Sequence, residues 1–530
     1  MNQYIKSTLP STTAVTRGQA FGMALARFGL NQAQVRKFGV GLAGMTLTAA
    51  LMFPNNTSAA ALDPLIELSR PNAVGTCDDS FVTLPATSMT LNDAFEPFMA
   101  VNPVNSRNIV VVWTQGLLQN IIAAVSQDGG RTWQQVPVPF TVCSGGPLRG
   151  AGDTRVCFAP NGDVYVIAVV GNELPTRGIA VCKSVDGGLH WSQPVLLQSL
   201  AGDMHQAVIA ADPADARRVY AIWDGADKGH RGPAMFTRTT DGGNTWEPPR
   251  AIVQPKPQDY VQMSQLLVLP DGTLVNVYYE VDVKNSGHGI EQNDRLKVIR
   301  STDHGLTWSN PSLAVTLLPL YGEDGSNFTV DPETGQLVLD VNDPSITVDQ
   351  AGKIYAVWAD GRFSNFQYNE IAFAMSSDGG VTWSAPIRVN QTPQNIPPLN
   401  RQAFMPTLAV SSDGTIGISH YDFRFNDPSP GLPTDRWLVR CQPSADRPAT
   451  DPANWSNEIR LTDTSFNMEA CGTIFGGFYP GDYSGLATVG SDFVSAFTQV
   501  DPDNVTAIFF RRVGSKPPAT RSIFATGIDK

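Results

Sequence analysis

One octet recurs along this chain, and it limits the possible folds more than any other feature. It reads Ser126-Gln-Asp-Gly-Gly-Arg-Thr-Trp133, Ser184-Val-Asp-Gly-Gly-Leu-His-Trp191 and Thr239-Thr-Asp-Gly-Gly-Asn-Thr-Trp246. It returns as Ser301-Thr-Asp-His-Gly-Leu-Thr-Trp308 and Ser376-Ser-Asp-Gly-Gly-Val-Thr-Trp383, and an eroded copy ends at Trp455. A repeated unit of this kind cannot bury its apolar face alone, so it must stack on its neighbours in a wheel or an array. Within the octet the Asp carboxylate can accept N–H groups of its own turn, while Gly takes the positive-φ corner. The Trp is expected to drop into the core of its own unit. Asp128, Asp186, Asp241, Asp303 and Asp378, with Trp133, Trp191, Trp246, Trp308 and Trp383, are therefore read as hairpin joints and not as chemistry.

A second element keeps the same count. Each unit opens with two apolar strands around a short turn, as in Ile346-Thr-Val-Asp-Gln-Ala-Gly-Lys-Ile-Tyr-Ala-Val-Trp358. The others begin near Phe98, Val156, Ala207, Leu266, Leu408 and Leu486. Two hairpins per unit make a four-stranded blade. The expectation is an all-β protein, a β-propeller of four-stranded blades, seven favoured and six the alternative. The last unit stops after Ala507-Ile-Phe-Phe-Arg-Arg-Val513 with only three strands. An N-terminal strand, Phe81-Val-Thr-Leu84, is expected to complete it, closing the ring and removing a free sheet edge.

The chain divides into a targeting segment at 1–61, a linker at 62–80, the propeller at 81–515 and a tail at 516–530. No Asp or Glu precedes Asp63, whereas Lys6, Arg17, Arg27, Arg36 and Lys37 are basic, and an apolar run from Phe38 to Phe53 leads to small residues. That is the pattern of a secretory signal, with an uncleaved anchor or a transit peptide as alternatives. A secreted, periplasmic or cell-surface location follows, with no stable membrane span unless the leader is retained. Six cysteines permit three disulfides, and Cys143–Cys157 and Cys441–Cys471 are the first pairs to examine. A net charge of −12 argues against nucleic acid as a partner. No C-x-x-C spacing, phosphate loop, nucleophile elbow or H-E-x-x-H helix occurs, so no cofactor is expected. A structural calcium stays open, although no D-x-D-x-D-G series supports one.

The octet, S-x-D-x-G-x-T-W, resembles the Asp box (BNR repeat) of the sialidase superfamily, and the resemblance spans nearly all of residues 81–513. It implies a propeller directed at a glycan or glycoconjugate, and if an enzyme then a glycoside hydrolase, exo-sialidase-like. Such a site lies on the loop face around the axis, where long polar loops sit on a rigid scaffold. The resemblance implies a Tyr nucleophile, for which Tyr483-Ser-Gly-Leu486 matches a Y-S-x-L stretch, with Asp360 as acid/base and Glu280 as activating base. Clamp arginines for a substrate carboxylate are looked for at Arg362, Arg424, Arg401 and Arg155, with Tyr421 beside them. Asp153, His205, Asp224 and Asp482 belong to the same loops. The chain departs from the family where Phe95-Glu-Pro-Phe98 stands in place of an arginine-bearing strand, and where Met263 and Tyr279 stand near the positions of the Glu and a second arginine. A non-catalytic glycan- or protein-binding propeller, an assembly factor and a polysaccharide lyase using a loop histidine with Tyr483 are the other readings.

Overall fold

A computed structural model describes residues 62–78, 87–173, 176–202, 204–227, 230–256, 259–286, 289–319, 329–339 and 343–514. The leader at 1–61, the tail at 516–530 and Phe81-Val-Thr-Leu84 lie outside these residues.

Seven antiparallel blades of four strands follow one another, the sixth carrying an extra short strand, Phe466–Asn467. Blade 1 comprises Ala94–Val101, Ile109–Gln115, Asn120–Ser126 and Gln134–Pro137, from the axis outward. The inner strands of blades 2 to 7 are Gly150–Phe158, His205–Ala211, Tyr260–Val268, Ser345–Val348, Ala403–Val410 and Gly485–Val489. Each inner strand touches the next, and Gly485–Val489 touches Ala94–Val101, so the ring closes at seven blades. The middle strands carry apolar residues on both faces because each blade is covered by a neighbour on either side. In Ile109–Gln115, Val110 and Val112 join the core shared with blade 2. Ile109, Val111 and Trp113 join the core shared with blade 7. Among the described residues no helix is long and apolar enough to cross a membrane.

The Asp boxes join third to fourth strands as expected. In the first, Ser126 Oγ accepts from Gly130 N at 2.8 Å, Asp128 Oδ1 accepts from Thr132 N at 2.9 Å, and Thr132 Oγ1 donates to Asp128 Oδ2 at 2.7 Å. Hydrogen bonds from the Thr245 side chain and backbone hold the Asp241 carboxyl down at about 2. A depressed carboxylate stabilises the fold above its unfolded value, so this support fades only as pH falls from about 4 toward 2. The Trp does not enter its own blade. Trp133 stands edge-on to Phe510 of blade 7 (4.7 Å between centroids), Trp308 to Phe236 of blade 3 (5.4 Å) and Trp455 to Phe373 of blade 5 (5.0 Å). Each box thus pins its blade to the preceding one, and the eroded sixth copy does the same work. The second Gly permits this approach: a Cβ on Gly130, at φ 91°, would lie 2.6 Å from the Phe510 ring.

Blade 7 is completed from the N-terminus, though not by the segment expected. Ile66–Glu67 pairs with Thr506–Val513, Ile66 opposite Phe510 and Glu67 opposite Phe509. Leu68 N donates to Ile508 O, Ser69 Oγ accepts from Ile508 N, and both side chains are buried. The strand therefore lies within the stretch read as a linker, where Leu65-Ile-Glu-Leu68 is short but apolar enough to pack on the blade.

The cysteine pairing also differs. Cys77 and Cys143 form a disulfide, while Cys157, Cys182, Cys441 and Cys471 are free. Cys441 and Cys471 belong to different cores, and burial pushes the Cys157 thiol up to about 12. The bridge ties the N-terminal arm to the loop leaving blade 1 across 66 residues. Cys77→Ser is expected to lower stability by about 4 kcal/mol from loop-closure entropy. Chemical denaturation of oxidised protein beside the variant measures this.

Candidate functional site at the axial mouth

The inner strands share one irregularity, and it builds the site. Glu96, Asp153, Gln206, Met263 and Met405 all adopt positive φ, between 47° and 59°. Each lies two residues before the strand's first regular pair after the break: Phe98 with Val112, Arg155 with Ile167, Val208 with Ile222, Gln265 with Val277 and Thr407 with Ser419. Counting back from Ser345, opposite Val357, and Gly485, opposite Ala496, gives Asp343 in blade 5 and Tyr483 in blade 7. Such bulges re-aim side chains, and left-handed non-glycine residues gather where the backbone serves a site.

Contacts between blades show that these seven positions converge. Gln206 N donates to Asp153 Oδ2 at 3.4 Å, and Gln206 Nε2 reaches past blade 4 to Asp343 Oδ2 at 3.0 Å. Met263 N donates to Gln206 Oε1 at 2.9 Å and to Asp224 Oδ2 at 2.6 Å. Burial, then the charge of Asp153, raises the Glu96 carboxyl to about 8, despite its hydrogen bonds with Tyr479 and Thr114 and the nearby Arg155. At neutral pH Glu96 therefore carries its proton. Its carboxyl is hydrogen-bonded to Tyr479 Oη, and Tyr479 donates to Asp482 Oδ1 at 2.8 Å. A buried acid is thus wired through a phenol to a half-buried carboxylate. Burial likewise raises Asp224 to about 7.

Two of the residues named from the sequence meet here. The Arg155 guanidinium lies 3.1 Å from the centre of the Tyr483 ring and 4.8 Å from that of Phe98. Tyr483 is buried, and its hydroxyl donates to Thr154 O at 3.0 Å. Burial holds that phenol well above its ordinary value.

The other named residues are engaged by partners in their own blade or a neighbouring one. Asp360 is fully buried and accepts from Trp358 Nε1 (2.6 Å), Leu318 N (3.1 Å) and Arg362 Nε (2.7 Å). Blade 6 repeats the device: Arg424 Nε donates to Asp422 Oδ2 at 2.8 Å, and Arg424 Nη1 pairs with Glu458 at 2.6 Å. Arg401 donates to Ile396 O and to the Tyr368 hydroxyl. Glu280 pairs with Lys297. Tyr421 is buried beneath Arg436 and donates to Thr498 O at 2.5 Å. Asp360→Ala leaves Arg362 without its partner, and a loss of about 3 kcal/mol in folding stability is expected. Thermal unfolding of the variant checks it.

Glu96, Gln206, Asp343, Tyr479 and Arg436 escaped the sequence reading as site residues. The signal for the first three was present as a register: each lies two residues before the first regular pair of an inner strand. The glutamate of Phe95-Glu-Pro-Phe98 was noticed only as a missing arginine. Tyr479 and Arg436 reach their places through tertiary packing that no local pattern announces.

No protein-family model and no curated protein matches the sequence. Solved structures do match in shape. A Dyadobacter fermentans protein of unknown function is 15% identical, with 69% of this chain and 94% of that one covered and a TM-score of 0.42. Hadza microbial sialidase Hz136 is 14% identical, covering 78% and 75%, with a TM-score of 0.41. The GH93 α-L-arabinofuranosidase of Fusarium graminearum, solved with arabinobiose, is 12% identical, covering 82% and 96%, with a TM-score of 0.42. At these identities the likeness concerns the fold alone. The chain has a β-propeller fold, and its wheel has seven blades.

Proposed function

We propose that this chain is an exported glycoside hydrolase acting on a neutral glycan, with its site at the axial mouth. The observation that carries the reading is the Glu96–Tyr479–Asp482 hydrogen-bonded chain beside a further carboxylate, Asp153. Glycosidic hydrolysis asks for one carboxyl group that gives a proton and one that stays ionised. Glu96 supplies the proton, Tyr479 passes it, and Asp482 delivers it to the leaving oxygen as the bond to the anomeric carbon breaks. Asp153 takes the proton of the attacking water as the new C–O bond forms. Tyr483, stacked on Arg155 with its hydroxyl bonded to backbone, serves as an aromatic wall.

Charge supports a neutral substrate. Asp153, Asp343 and Asp482 gather at the mouth, so a sugar carboxylate there meets like charge. Arg362, Arg424 and Arg401 are held by partners in their own blades and do not form a clamp at the axis. The Cys77–Cys143 disulfide suits an oxidising compartment, in keeping with the leader at 1–61.

The test is release of reducing ends from a panel of neutral polysaccharides by protein beginning at residue 62, with a fluorogenic sialoside alongside. Reducing ends from a neutral glycan and an inert sialoside are expected. A folded protein that releases nothing across the panel, or that cleaves the sialoside, overturns the reading.

A further inference from the structure

Arg436 is among the largest fully buried side chains of the protein, and its charge is unanswered. Nε donates to Ser419 Oγ at 2.6 Å and Nη1 to the carbonyl of Met405 at 2.8 Å. Nη2 is buried with no hydrogen-bond partner. Below the guanidinium lies the ring of Tyr421, 4.4 Å from Cζ to centroid. The carboxylates of blade 6 are committed elsewhere: Asp422 and Glu458 to Arg424, Asp435 to Arg460. Strand alternation also separates them, because Ser419 and Tyr421 face blade 7 while His420 and Asp422 face blade 5. Tyr421 does not supply the missing charge, since burial pushes its phenol up to about 12. His420, buried and repelled by Arg424 and Arg436, stays neutral.

A guanidinium keeps its proton in any protein interior, and burying it without a counter-charge costs several kcal/mol. Among the described residues the groups against Arg436, namely Ser419, the Met405 carbonyl and Tyr421, are all neutral, which points to a counter-charge from outside them. We propose that a small monovalent inorganic anion, with chloride the physiological candidate, is held between blades 6 and 7 on Arg436 Nη2. A hydroxyl group stands beside it: Ser419 accepts from Nε and keeps its own proton to donate. The anion would join two blades at a seam lying directly under the axial ring, whose sixth member is Met405. This inference does not depend on the glycosidase reading.

Crystals grown in sodium bromide, with data collected at the bromine edge, locate the ion directly. An anomalous peak within about 3.5 Å of Nη2 is expected. In solution, replacing gluconate by chloride at constant ionic strength is expected to raise Tm by about 3 °C once chloride exceeds its dissociation constant a hundredfold. The Arg436→Met variant is expected to lose that dependence. Should the variant fail to fold, the bromide map and the wild-type chloride titration still decide. A water in place of the anomalous peak, or identical Tm in chloride and gluconate, overturns the proposal.

Discussion

Glu96→Gln is expected to reduce turnover of the neutral glycan by about 100-fold, the usual contribution of a positioned general acid. Gln has the size of Glu and can still receive the Thr114 hydroxyl, so the loss reports the missing proton and not a collapsed site. The pH dependence sharpens the test. Glu96 titrates at about 8 because burial and Asp153 disfavour its charged form. Wild-type activity should therefore fall as pH rises through about 8, and the variant should lack that limb. Stability carries the same signature with its own sign. Unfolded, the carboxyl loses its proton near pH 4.5, whereas the folded state keeps it until about 8. Between these values the unfolded state binds fewer protons, so stability declines as pH rises, by on the order of 5 kcal/mol at full deprotonation. In Glu96→Gln that decline should flatten. A variant that is both less active and more stable at pH 8 would show a strained acid kept for its chemistry.

Removing residues up to Arg70 is expected to have the largest effect on the fold. Blade 7 would then present Thr506–Val513 as a bare edge, and the seat of Leu68, buried at 3% exposure, would stand empty. The ordered backbone bonds at Asp63, Leu68 and Ile508 would go with it. Burial of one leucine and several net hydrogen bonds of about 1 kcal/mol each together account for about 5 kcal/mol. An opened wheel also gains an edge strand that pairs with other chains. Light scattering should show association of the truncated protein at concentrations where the chain from residue 62 is monodisperse. Differential scanning calorimetry should show a transition lower by several degrees. Unchanged unfolding would mean that the seven-bladed ring does not need its N-terminal clasp.

Most of the architecture was legible in the sequence for a simple reason. An octet whose Asp and Gly perform local tasks beside an invariant Trp announces itself wherever it occurs, and seven apolar hairpins fix the blade count. The misreadings fall where the outcome depends on partners distant in sequence. Ile66–Glu67 was passed over as a strand because two residues carry no periodicity; its identity comes from Thr506–Val513 across the ring. Cys77 pairs with Cys143 because the arm folds back past blade 1, which spacing alone cannot reveal. The Trp of each box was assigned to its own blade, whereas the aromatic side chain it meets, such as Phe510 or Phe236, lies on the blade before.

The site was less legible for a related reason. Asp360-Gly-Arg362 and Asp422-Phe-Arg424 look like loop chemistry, yet in each the arginine turns back on its own aspartate two residues away. Glu96 and Gln206 sit in strands that otherwise read as plain core, and only the bulge directs them to the axis, while Asp343 stands just before its strand, Ser345–Val348. Arg155 and Tyr483 were both named from the sequence, and the structure brings them together as a stacked pair.

The measurement that tests the central claim most directly is a side-by-side comparison of Asp482→Asn and Tyr483→Phe on the neutral glycan cleaved by the wild type. If the carboxyl chain at the axial mouth carries the reaction, Asp482→Asn loses at least about 100-fold in kcat. Tyr483→Phe, whose hydroxyl only meets the Thr154 carbonyl, then stays within a few-fold of wild type. Loss of turnover in Tyr483→Phe with full activity in Asp482→Asn would contradict the account and return the tyrosine to the centre of the chemistry.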